Sequence, residues 1–122
     1  MSASQIGEEL VALCKQGKNM DAIEKFYSPN IVSIEACAMP GMEQTQTGID
    51  AIKGKNTWWV ENHEVHDGEV SGPFPHGNRF AVLFKFEVTP KHTGKRMTIE
   101  EIGLYTVEED KIVKEEFFYA AQ

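Results

Sequence analysis

The chain has 122 residues, of which 41% are hydrophobic and 25% are charged, so it has the composition of a globular protein with one hydrophobic core. We therefore expect a single domain over residues 1–122. The net charge of −7 argues against binding to nucleic acid or to an anionic membrane, because both require clustered Lys and Arg side chains. The N-terminal segment lacks the basic and apolar regions of a secretory signal. We expect a cytoplasmic protein with free thiols at Cys14 and Cys37.

Apolar residues recur at helical spacing in the first half of the chain. The pattern predicts helices over residues 4–16, 20–27 and 49–63. The predicted core-facing stripe of the third helix is Ile49, Ile52, Asn56, Trp59 and His63. Lys53 and Lys55 fall outside that stripe, so we expect both to be solvated on the outer face of the helix.

The remaining segments have the alternating pattern of strands. Strands are predicted over residues 31–36, 64–70 and 79–89, and a long hairpin over 95–119 turns at Glu108-Glu109-Asp110. Residues 37–48 have the composition of a loop, and residues 72–78 that of a turn or β-bulge region. The final strands follow one another without intervening helices, which excludes a parallel doubly wound sheet. The order favours an α+β fold with an antiparallel sheet curved over helices on one face.

The final hairpin brings carboxylates onto an apolar face. If Val107 pairs with Lys111, Gly103 faces Glu115, because antiparallel pairing fixes the sum of the two positions. The inward face then carries Glu101, Tyr105, Val113, Glu115, Phe117 and Tyr119. A slip by one residue would put Glu100 and Glu116 there instead.

Several segments resemble the SnoaL-like branch of the nuclear transport factor 2-like superfamily. They are GKNMDAIEKFYSPNIVSIEA, the helix entry TGIDAI and the ending GLYTVEEDKIVKEEFFY. The resemblance covers nearly the whole chain. It implies a cone-shaped α+β barrel, in which three N-terminal helices pack on a strongly curved, mainly antiparallel sheet that wraps the third helix around an apolar pocket. It also implies a homodimer formed through the outer face of the sheet.

Ketosteroid isomerase is an instructive member of this superfamily. Aligned on IVSIEA, its proton-abstracting carboxylate falls at or next to Glu35. Its oxyanion-binding tyrosine falls near Leu10 and its neutral aspartic acid near Gly103, and neither residue donates a side-chain hydrogen bond. Steroid isomerase activity is therefore not carried over to this chain.

The sequence favours a cofactor-independent enzyme that moves a proton on a small apolar carbonyl compound. Glu35 or Glu101 would abstract or donate the proton, and Tyr105 or His63 would hydrogen-bond the oxygen where charge develops, since no inward Lys or Arg is expected. The expected ligand-lining residues are Tyr27, Trp59, Phe84, Phe86, Glu115, Phe117 and Tyr119.

Two further expectations concern a metal site and the alternative to an enzyme. No metal site is expected, because His63 and His66 are one residue too close for the zinc motif HExxH. The alternative to an enzyme is a non-catalytic module of the same fold that binds a small ligand or dimerises.

Overall fold

The computed structural model describes residues 1–38 and 41–120, and residues 39–40 of the predicted loop lie outside the described part. Within the described part, three helices and six strands are present, with the following bounds. The helices are α1 (Ala3–Lys15), α2 (Asn19–Phe26) and α3 (Ile49–Asn62). The strands are β1 (Tyr27–Ile34), β2 (Thr45–Thr47), β3 (His63–His76), β4 (Arg79–Pro90), β5 (Met97–Glu108) and β6 (Lys111–Phe118).

The strands form one sheet in the order β2-β1-β6-β5-β4-β3. Only β1 and β6 run parallel among the described strands, and the other neighbours are antiparallel. The sheet curls around the helices but does not close, because β2 and β3 remain as edges. The predicted α+β class with a curved, mainly antiparallel sheet is confirmed. No helix in the described residues is long and apolar enough to cross a membrane.

The helix that packs into the concave face of the sheet is α1. The sequence analysis expected the third helix, α3, in this position. Ser2 caps α1 by accepting from the Gln5 backbone, while the Gln5 side chain accepts from the Ser2 backbone. The buried stripe of α1 includes Ile6, Gly7 and Leu10, whereas α3 buries only Ile52. A helix with a narrow buried stripe covers little of the sheet. The third helix contacts α2 and the strands β1, β2 and β3.

The core lies between α1, α2 and the inward residues of the central strands. Phe80, Val82 and Phe84 alternate with more exposed residues along β4, and Gly103, Tyr105 and Val107 do so along β5. This is the period of two expected of strands with one covered face. The inward face of β5 predicted from the sequence is the one observed.

The pairing of the last hairpin differs from the sequence prediction by two positions. Tyr105 pairs with Glu115 and Gly103 pairs with Phe117, and the register shifts between Thr106 and Val107. The two-residue turn at Glu109 and Asp110, with φ of 49° and 64°, and this bulge together produce the shift. Glu115 and Phe117 still face inward because a shift of two preserves parity. Between the bulge and the turn, the buried residue is Ile112, whereas the sequence predicted that Val113 would face inward.

Two other segments are more ordered than the sequence indicated. The predicted loop contains β2, in which Thr45 pairs with Ile34 of β1. The third strand continues to His76 through a bulge between Ser71 and Phe74. Gly and Pro have low strand propensity, so the sequence did not predict a strand over this segment. A bulge on an edge strand accommodates both residue types.

Two helix glycines should respond to substitution by alanine with opposite signs. At Gly7 a Cβ would lie 2.8 Å from Pro73 Cβ and 3.1 Å from the Phe80 ring, whereas at Gly54 nothing lies within 4 Å. We expect Gly7→Ala to lower the free energy of unfolding by about 1 to 3 kcal/mol through overpacking. Gly54→Ala should raise it by about 0.5 to 1 kcal/mol through helix propensity. Urea unfolding measures both, and equal signs would contradict the packing of α1 on the sheet.

Candidate functional site

Strand pairing places polar side chains side by side on the inward face of the sheet. Ser33 of β1 is aligned with Glu115 of β6, which is aligned with Tyr105 of β5. Tyr27 lies at the start of β1, and Glu35 follows its end. The short helix α2 is therefore followed directly by β1. This segment brings the polar side chains of Tyr27, Ser33 and Glu35 to the interior.

The carboxylate of Glu115 is at the centre of this group. The residue is 2% exposed, and Ser33 beside it is fully buried. The Ser33 hydroxyl donates to Oε1 of Glu115 at 2.8 Å, and the Tyr27 hydroxyl donates to Oε2. Burial raises the pKa of Glu115, while the charge of Lys55 and these two hydrogen bonds oppose the rise. The carboxylate is therefore held by donors on both oxygens.

Lys55 lies inside the site, so the prediction that it is solvated was wrong. Its Nζ donates to Ser33 Oγ at 2.6 Å and to Glu35 Oε1 at 2.7 Å, and its side chain is 15% exposed. It lies 3.9 Å from Glu115 Oε1 and 5.2 Å from the centre of the Phe117 ring. The available signal was spacing: Lys55 follows the buried Ile52 by three positions and so shares its face. The long aliphatic stem lets the ammonium reach the interior.

Glu35 and Tyr119 form the open side of the site. Tyr119 donates to Oε2 of Glu35 at 3.1 Å, and the Cys37 sulfur lies 4.0 Å from the same hydroxyl. Burial, followed by the charge of Glu35, raises the pKa of Tyr119. A depression of about 290 Å³ opens here, lined by Ile34, Glu35, Ala36, Gln44, Glu116, Phe117, Phe118 and Tyr119. Glu35 is one of its lining residues, so the depression exposes part of this carboxylate to solvent.

Glu101 is the carboxyl group without a fixed partner. It faces inward opposite Phe84, and within the described residues no side chain forms an ion pair or hydrogen bond with it. Burial raises its pKa to about 7, the charge of Glu35 adds to the rise, and Lys55 opposes it. Glu101 therefore exchanges its proton near neutral pH.

Tyr105 lies deeper than Glu101, packed over a glycine. Its ring stacks on Phe80 with centroids 5.0 Å apart, and a Cβ on Gly103 would lie 2.9 Å from that ring. Burial raises the pKa of Tyr27 and of Tyr105, and that of the Cys14 thiol to about 11, so all three groups stay protonated. The space beside Gly103 is therefore filled by the Tyr105 ring. It is not occupied by an acid such as the aspartic acid of ketosteroid isomerase that aligns near this position.

His63 belongs to an aromatic row at the far end of α3. Its Nδ1 is 2.8 Å from the Trp59 carbonyl oxygen, and its ring stacks on Trp59 at 4.5 Å. Phe86 lies 6.1 Å from Trp59 and 6.1 Å from Phe84, which faces Glu101 across the strands. The row extends from the helix end toward the carboxyl group of Glu101.

The comparisons with known proteins agree on one family. The family described as "SnoaL-like domain" matches residues 1–119. A solved structure from Mesorhizobium loti is 46% identical, covers 98% of this chain and 100% of its own, and superimposes with a TM-score of 0.92. That protein is provisionally named a SnoaL-like polyketide cyclase, with carbohydrate phosphatase as a second description.

More distant structures share the fold. A provisionally named SnoaL-like polyketide cyclase from Jannaschia sp. CCS1 is 15% identical over 97% of this chain and 88% of its own, with a TM-score of 0.73. A Catenulispora acidiphila protein with a ketosteroid isomerase-like fold, in complex with trimethylamine, is 15% identical over 91% of this chain and 82% of its own, with a TM-score of 0.69. No curated protein matches the sequence at a significant level. The chain belongs to the SnoaL-like domain family.

Proposed function

We propose that this protein is a cofactor-independent enzyme that transfers a proton on a small carbonyl-bearing metabolite, in an isomerisation, cyclisation or dehydration. The observation that carries the proposal is that Glu101, an inward carboxyl group whose pKa burial raises to about 7, is close enough to the Lys55 ammonium for that charge to lower its pKa. A proton acceptor and a charge-stabilising donor are the two groups that enolisation requires. The provisional name of the Mesorhizobium loti relative points to the same class of reaction.

Lys55 is the donor that stabilises the negative charge developing on the substrate oxygen. An ammonium group has three N–H bonds, and two of them are directed at Ser33 and Glu35. The third has no hydrogen-bond partner among the described residues and is available to a substrate carbonyl. Lys55 takes the role that the sequence assigned to Tyr105 or His63. Tyr105 is buried behind the site, and His63 is hydrogen-bonded at the end of α3.

Glu101 is the general base in the first step and the general acid in the second. A group with a pKa near the working pH combines the correct protonation state with a useful driving force. Glu35 accepts hydrogen bonds from Lys55 and Tyr119, so it is less available than Glu101 to accept a proton. Trp59, Phe84, Phe86 and Phe117 would contact the apolar part of the substrate.

We also propose that the protein forms a homodimer through the outer face of the sheet. Leu83, Ile102 and Phe118 lie in one cross-strand row and are 40%, 45% and 51% exposed. Exposed apolar side chains in direct register are unusual for a surface that faces only water. Ion pairs flank the row, Lys85 with Glu100 at 3.7 Å and Lys114 with Glu116 at 3.6 Å. A second copy related by a two-fold axis can match each positive group with a negative one.

Removing the Lys55 charge or the Glu101 carboxylate should slow proton transfer from carbon. The assay is deuterium incorporation next to the carbonyl of a panel of cyclic and aryl ketones in D₂O, followed by NMR. We expect Lys55→Met and Glu101→Gln each to lower the exchange rate by about 10² to 10⁴. The matched controls are Lys53→Met on the same helix and Glu100→Gln on the same strand, which should keep the wild-type rate. A wild-type protein that binds ketones without exchange would favour the non-catalytic binding module.

The pH dependence of stability should report the proton on Glu101. The unfolded carboxyl ionises near pH 4.5 and the folded one near pH 7, so folding loses stability as the pH rises between these values. The loss is on the order of 3 kcal/mol and is complete above pH 7. Glu101→Gln should remove this slope in urea unfolding, and Glu100→Gln should retain it. A slope unchanged by Glu101→Gln would place the carboxyl in water.

The dimer should depend on the exposed row of the outer face. We expect Ile102→Glu to convert a dimer to a monomer in light scattering at micromolar concentration, because it buries an unpaired charge in the interface. Val60→Glu is the control, since Val60 is 57% exposed on α3, away from the sheet face. A wild-type monomer at all concentrations, or a dimer that survives Ile102→Glu, would contradict the proposed interface.

A further inference from the structure

Glu115 differs from the other two carboxyl groups of the site because it is almost completely buried and accepts a hydrogen bond on each oxygen. Oε1 accepts from Ser33 and Oε2 accepts from Tyr27, and the residue is 2% exposed. The two hydrogen bonds fix the orientation of the carboxyl group between Tyr27 and Ser33. Because Glu115 is buried, a substrate does not reach it directly.

The hydrogen bonds around Ser33 have a fixed direction. A serine hydroxyl has one proton, and here that proton is donated to Glu115 at 2.8 Å. The lone pairs of Ser33 then remain to accept from the Lys55 ammonium at 2.6 Å. The orientation of Ser33 thus links the carboxylate to the lysine, and Glu115 determines that orientation.

The charge of Glu115 acts on the same lysine. Its Oε1 lies 3.9 Å from Lys55 Nζ, in surroundings from which water is largely excluded. Charges at this distance interact more strongly in a protein interior than in water. Phe117 adds the face of an aromatic ring, whose centre lies 5.2 Å from Nζ.

We propose that Glu115, held by Tyr27 and Ser33, is the positioning residue of Lys55: it fixes the ammonium against Glu35 with one N–H directed to the substrate. Without Glu115, Ser33 loses its acceptor and Lys55 follows Glu35 toward the opening. The consequence for catalysis rests on the proposed function, whereas the positioning itself does not. Glu115 is then neither the acid nor the base of the reaction.

The first test measures how well Lys55 is protected in the whole folded protein. Reductive methylation with formaldehyde and a borohydride reagent is followed by peptide mass spectrometry, with Lys53 as the internal reference on the same helix. We expect Lys55 to react at least about tenfold more slowly than Lys53 in the wild type, since its hydrogen bonds to charged and polar groups must open first. Glu115→Gln and Ser33→Ala should each raise the Lys55 rate severalfold and leave Lys53 unchanged. An unchanged Lys55 rate in both variants would overturn the proposal.

The second test replaces the lysine with a free amine. Lys55→Ala removes three carbons and the ammonium, which n-propylammonium chloride can restore. We expect 50 mM of this salt to raise the unfolding midpoint of Lys55→Ala by about 3 °C, because a ligand that binds only the native state stabilises it. Neither n-propanol nor sodium chloride at the same concentration should do so.

The double variant Lys55→Ala/Glu115→Gln decides which carboxylate holds the amine. The proposal requires that it loses the response to n-propylammonium, and a response equal to that of Lys55→Ala would assign the positioning to Glu35 alone and overturn the proposal. If Lys55→Ala does not fold, the methylation rates in the wild type and Glu115→Gln decide the question. Neither test uses a substrate, so their failure and the failure of the proton-transfer proposal are distinguishable.

Discussion

The structure depends on the burial of one carboxylate, that of Glu115, beside the ammonium group of Lys55. A charge removed from water is costly unless it is paired and hydrogen-bonded, and here Tyr27, Ser33 and Lys55 supply the partners. These partners come from the two ends of β1 and from α3, so one buried charge constrains three segments at once. The parallel pairing of β1 with β6 is what aligns Ser33 with Glu115.

This constraint separates the roles of the three carboxyl groups. Glu115 is enclosed, Glu35 is tied to Lys55 and Tyr119 at the opening, and Glu101 faces the same site without a fixed partner. Environment therefore distinguishes groups that are chemically identical. Lys55 neutralises one negative charge of the group, and the carboxyl group that remains unpaired is the one that exchanges its proton near neutral pH.

The sequence predicted the fold class and the inward orientation of Glu101 and Glu115, because alternation along a strand is a strong local signal. It did not predict the register of the final hairpin, because a two-residue turn and a bulge produce the same alternation with different pairing. The prediction that Lys55 lies in solvent was wrong, because a lysine is usually exposed but this one shares the helix face of the buried Ile52. An ammonium group is buried only where polar or negatively charged groups surround it. Ser33 and Glu35, the partners of Lys55, lie in a segment distant from it in sequence.

Titration of the Glu101 carboxyl by ¹³C NMR in the wild type and in Lys55→Met measures the proposed proton-transfer group most directly. We expect a midpoint near pH 7 in the wild type, because burial raises the pKa of Glu101 to about 7. We expect a higher midpoint in Lys55→Met, because the positive charge that favours the ionised form is gone. A midpoint near pH 4.5 in both proteins would contradict proton transfer by Glu101 beside Lys55.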